Sequence, residues 1–113
     1  MKIIRYILLS GVLCVTLLQT QAQSPDRFSA EVEMLTANDQ SIAKKNVILF
    51  TGSSSIRLWK DLNSRFPKLN IVNRGFGGSQ TSDLVYYFDR LILPYTPKKI
   101  FIYEGDNDIN SGK

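Results

Sequence analysis

The chain predicts an α/β fold in which helices cover both faces of a parallel sheet. Three observations predict it. Apolar runs of strand type at residues 46–51, 70–73 and 99–103 alternate with helical patterns. The first run, Val47-Ile48-Leu49-Phe50, is continuous rather than alternating, as in parallel strands buried on both faces. Each run also feeds a polar, glycine-bearing turn, and the carboxyl ends of parallel strands share one edge of an open sheet.

The first 22 residues have the pattern of a secretory leader. Lys2 and Arg5 charge its start, residues 6–18 are apolar apart from Ser10, Gly11 and Thr16, and Thr20-Gln21-Ala22 offers small residues to a peptidase. Cleavage is expected after Ala22, which makes the mature chain secreted or periplasmic. The apolar run is short for a membrane span. A lipid anchor on Cys14 is disfavoured by the bulky Leu13, so no stable membrane anchor is expected. Cys14 is the one cysteine, and cleavage removes it, leaving neither a disulfide nor a thiolate.

Ser24-Pro25 suits a helix cap followed by proline in the first turn. Phe28, Val32 and Leu35 then recur at helical spacing up to about Asn38-Asp39, which gives a covering helix with no functional role of its own. After the first strand the pattern turns helical, with Leu58, Trp59, Leu62 and Phe66 on one face and Pro67 as the stop. Trp59 is expected in the core. A second helix follows residues 70–79, with Leu84, Val85, Phe88, Leu91 and Ile92 inward and Thr81 or Ser82 as its cap. The order is helix, then β-α-β-α-β, which calls for right-handed crossovers and a three-layer α/β/α, flavodoxin-like sheet of about three strands. A chain of 113 residues allows one small domain, here residues 23–113.

Charge excludes one class of partner. The 14 basic and 10 acidic residues give +4, and without Lys2 and Arg5 the balance is 12 against 10. Lys44-Lys45 and Lys98-Lys99 precede strands and form no stripe that tracks phosphates, so no nucleic acid is expected. The sequence holds no histidine.

The turns carry the chemistry. Gly52-Ser53-Ser54-Ser55 puts a hydroxyl at the first turn of a helix, where unpaired N–H groups favour developing negative charge. Gly78, in Arg74-Gly75-Phe76-Gly77-Gly78-Ser79, can offer an unobstructed backbone N–H. Asn107, in Glu104-Gly105-Asp106-Asn107-Asp108, can offer side-chain N–H donors. A nucleophilic hydroxyl with donors aimed at one oxygen is what acyl transfer needs. The bland alternative is a set of small-residue turns whose serines only cap helices.

These three blocks, in this order, resemble the first three of the SGNH, or GDSL-type, hydrolases. The likeness is closest to the platelet-activating-factor-acetylhydrolase-like branch and covers roughly residues 46–110. The resemblance implies Ser54 as nucleophile, with Gly78 and Asn107 completing an oxyanion hole beside the Ser54 amide. It also implies a small-molecule ester or acetylated carbohydrate as substrate and no metal or organic cofactor. Ser53 stands where aspartate is common in the family. Ser54 is chosen because it lies two after Gly52, and Ser53 and Ser55 are the alternatives. The family's fourth block, an aspartate three residues before a histidine, has no counterpart. The expectation is therefore the front part of a domain of roughly 200 residues, inactive by itself, with an apolar third strand that leaves it aggregation-prone.

Other patterns fare worse. Gly75-Phe76-Gly77-Gly78-Ser79-Gln80 resembles a dinucleotide fingerprint, but Gln80 replaces the last glycine and the turn follows the second strand. Asp106-Asn107-Asp108-Ile109-Asn110 resembles the start of a calcium loop, but Ser111 replaces its glycine and no closing glutamate follows. The alternative from another class is a non-catalytic ester- or carbohydrate-binding domain, or an inactive fragment.

Overall fold

The computed structural model describes residues 23–113. The expected leader, with Cys14 and the cleavage after Ala22, lies outside the described residues. Three parallel strands, β1 (Ile48–Gly52), β2 (Ile71–Gly75) and β3 (Lys99–Tyr103), form one sheet in the order β2-β1-β3. This is the expected α/β fold. Gly52 stands opposite Gly75 on one side and Tyr103 on the other, so all three strands end at the same level.

One face is well covered. Val47, Leu49 and Val72 pack into a cluster closed by Val32, Leu84 and Leu91. Those three come from α1 (Ser29–Thr36), α4 (Thr81–Tyr86) and α5 (Phe88–Leu91). Burying a leucine such as Leu49 stabilises by about 2 kcal/mol, and this cluster is the main core. Ser24 caps the 3-10 turn Pro25–Phe28 before α1, accepting the Asp26 N–H at 3.3 Å.

Among the described residues the other face carries only two single-turn helices, α2 (Ser54–Arg57) and α3 (Leu62–Arg65). The expected continuous helix therefore breaks in two. Asp61 starts a new turn, its carbonyl accepting the Arg65 N–H at 3.0 Å and its carboxylate pairing with the Arg65 guanidinium at 2.6 Å. Leu62 is buried, but Leu58, Trp59 and Phe66 are not. Trp59 meets Phe50 edge-on at 5.8 Å, and Phe50 stacks on Phe101 at 4.7 Å. A shallow apolar groove of about 200 Å³ lies beside them, lined by Ile48, Phe66, Leu69 and Ile71 among others. Burial on both faces of β1 is thus unequal: Leu49 is enclosed while Ile48 and Phe50 are partly exposed.

The second helix is also split, at Tyr87, whose ψ of 11° leaves the helical range. Tyr87 takes the inward place expected of Phe88, with its hydroxyl donating to the Pro25 carbonyl at 2.9 Å. Val85 and Phe88 are exposed. Gln80, and not Thr81 or Ser82, is the cap; its N–H donates to the Asp83 carboxylate at 2.8 Å. That carboxylate is almost fully buried and pairs with Arg27 at 2.5 Å.

A buried polar lock holds the far edge of the sheet. Arg74, on β2, donates to the Tyr95 hydroxyl and to Asp39. Desolvation, and then the bond to Asp39, push the Tyr95 phenol up to about 12. Lys44, Lys45, Lys98 and Lys99 are all exposed. Among the described residues no helix is long and apolar enough to cross a membrane.

Candidate active site

Gly52 ends β1 at a φ of +127°, where a side chain is strained, and an added Cβ would lie 1.9 Å from the Tyr103 carbonyl oxygen. Glycine is therefore required for the chain to turn against β3. The Ser53 N–H then donates to Tyr103 O at 3.0 Å, and the Phe76 N–H donates to Gly52 O at 3.0 Å. These two bonds tie the first turn to the other strands.

Ser53 is buried as the residue before α2, Ser54 is half-buried at the first helical position, and Ser55 is exposed. Of the three, Ser54 combines partial access with the first-turn position, where amides lack helical partners. The helix is a single turn, so local N–H groups matter here more than a macrodipole. Its placement is set from β2: Asn73 Nδ2 donates to Ile56 O at 2.8 Å, and Asn73 Oδ1 accepts the Gly75 N–H at 2.9 Å. Gly75 lets the two elements touch, because a Cβ there would meet the Arg57 amide nitrogen at 2.4 Å.

The second and third turns are stitched together. Gly78 is exposed, and a Cβ built on it would lie 3.9 Å from Asn107 Oδ1. Asn107 sits in α6 (Asp106–Asn110), a short helix where the sequence suggests a turn, and its Nδ2 donates to Ser79 O at 2.8 Å. The Thr81 N–H donates to Asp108 at 2.9 Å, and Gln80 Nε2 to the Ser111 hydroxyl at 2.8 Å. Gly78 and Asn107 are therefore neighbours, and Ser54 begins the helix on the same carboxyl rim.

Two carboxylates that sequence reasoning missed touch this rim. Glu31, from α1, accepts the Gly77 N–H at 3.0 Å, and Arg57 lies 3.6 Å from the same oxygen. The helix thought to be a mere cover thus pins the glycine-rich turn. Glu104 accepts from the Ser79 hydroxyl at 2.9 Å. Desolvation raises its pKa, with Asp108 and Asp83 adding to the rise and the Ser79 hydrogen bond and the neighbouring Gly105 amide opposing it. No spacing in the sequence signals either contact; Glu31 and Gly77 are 46 residues apart.

Asp83, Asp108 and Glu104 are all engaged, with Arg27, Thr81 and Ser79 respectively. Among the described residues no three His, Cys, Asp or Glu side chains are grouped to hold a metal. No family model matches the chain, and no curated protein matches it.

Proposed function

We propose that this rim is the nucleophile and oxyanion-binding part of a serine ester hydrolase. The observation that carries it is the pairing of Gly78 with Asn107 on the rim where Ser54 starts its helix. In the proposed mechanism the Ser54 hydroxyl attacks an ester carbonyl, and the alcohol leaves as the acyl-enzyme forms. Water then releases the acid. The Gly78 N–H, the free Nδ2 hydrogen of Asn107 and the Ser54 N–H stabilise the developing oxyanion. One well-placed donor of this kind is worth roughly 3–4 kcal/mol of barrier.

The sequence has no histidine, so the histidine that acts as base in a Ser-His-Asp triad is not among these 113 residues. The fitting substrates are small esters or O-acetylated carbohydrates, met in a secreted or periplasmic compartment, with no organic cofactor. A fluorophosphonate tests this directly. The adduct is expected on Ser54, slowly in this chain and fast once a histidine is supplied, and absent in Ser54→Ala. Labelling that survives Ser54→Ala, or that maps to Ser53 or Ser55, contradicts the assignment. The lack of histidine favours one second reading, a domain that binds esters without cleaving them, which predicts ester binding and no adduct under either condition.

A further inference from the structure

Glu104 is a carboxylate for which the ester chemistry has no use. It follows β3, and its Oε1 is buried with no hydrogen-bond partner among the described residues. Such an atom costs free energy, so its retention calls for a reason. Its Oε2 accepts from the Ser79 hydroxyl at 2.9 Å, and Ser79 is fully buried. The backbone carbonyl of that same serine accepts the Asn107 Nδ2 hydrogen at 2.8 Å. One residue of the second turn is thus held twice from the third, by its side chain to Glu104 and by its backbone to Asn107.

We propose that Glu104 is a positioning residue which, by anchoring Ser79, sets the direction in which Asn107 presents its amide to the rim. Its catalytic meaning rests on the assignment of Asn107 to the oxyanion site. An asparagine amide has two N–H donors; one is committed to Ser79 and fixes the plane of the other. A hydrogen bond to an ionised acceptor is about twice as strong as a neutral one, so ionised Glu104 holds Ser79 tightly and protonated Glu104 holds it loosely. The charges that bear on Glu104 are Asp108 of α6 and Asp83 of α4, both negative, and both favour its proton. The orientation of Asn107 therefore depends on pH.

The test is NMR of the Asn107 side-chain amide in the 113-residue chain. Its resonances are expected to titrate with an inflection above the ordinary glutamate value of 4.5. Glu104→Gln should remove the inflection while keeping the amide protected. Ser79→Ala and Glu104→Ala should speed its hydrogen exchange by roughly tenfold or more, the loss of one hydrogen bond to a charged group. A wild-type Asn107 amide with no such inflection, or one that survives Glu104→Gln, overturns the proposal, and the titration needs no variant to fold. The adduct on Ser54 is a separate readout, so failure of the esterase assignment and failure of this one are distinguishable.

Discussion

The proposed function makes its sharpest demand on Asn107, whose amide already donates to the Ser79 carbonyl and would have to serve an oxyanion as well. Replacing it with alanine should lower the rate of Ser54 acylation by roughly 10²–10³, the usual loss of one oxyanion donor, as read from adduct formation against time. Glu104 shows the opposite bias, with function set against stability. Its pKa is raised by burial, so the folded chain keeps this proton to higher pH than the unfolded chain does. The penalty is therefore absent below 4.5 and grows as pH climbs to the raised value. Glu104→Gln should raise Tm at neutral pH and flatten its dependence on pH across that window. A lower Tm for Glu104→Gln at neutral pH contradicts this. Asp83 differs, since its charge is paired. Removing Arg27 leaves an almost fully buried carboxylate without its cation, and Arg27→Ala should cost about 3 kcal/mol in a denaturation curve.

At the scale of elements, the strands were legible and the helices were only half so. Lys99–Tyr103 has the bounds its apolar run predicts, and β1 and β2 each extend to the glycine that closes them. The helices fail at their middles. Leu84, Tyr87 and Leu91 fit a helical stripe as well as Leu84, Phe88 and Ile92 do, and both central residues are aromatic. The choice falls to tertiary contacts: Tyr87 reaches the Pro25 carbonyl and meets Phe76 edge-on at 5.9 Å. Nothing local to residues 80–92 encodes that. The candidate site divides in the same way. Ser54, Gly78 and Asn107 lie in turns that announce themselves, whereas Glu31 and Glu104 act through distant partners that no spacing reveals. The turn glycines supply a prediction at this scale. Gly52→Ala puts a Cβ 1.9 Å from a backbone oxygen at a strained φ, and should destabilise by roughly 3 kcal/mol while parting β1 from β3. Unchanged stability and an intact Ser53 to Tyr103 hydrogen bond in that variant would be inconsistent with the turn described.

Over the whole molecule, β3 is the weak flank. Ile100, Phe101, Ile102 and Tyr103 are between 43% and 58% exposed, on a strand that among the described residues pairs on one side only. An apolar, unpaired edge invites association. Residues 23–113 alone should therefore self-associate in sedimentation, and Ile102→Lys should reduce it by placing a charge on the strand. A monodisperse monomer with a sharp, reversible melt goes against this expectation.

The proposed function depends on the sheet's delivery of three separate turns to one rim. An oxyanion mimic tests that claim most directly: phenylboronate, titrated against the chain while the Ser54 and Gly78 amides and the Asn107 side chain are followed by NMR. All three signals should move together with one binding constant, and Ser54→Ala should abolish the response. Signals that move with different constants, or persist in Ser54→Ala, would show that the three groups do not meet at one oxygen.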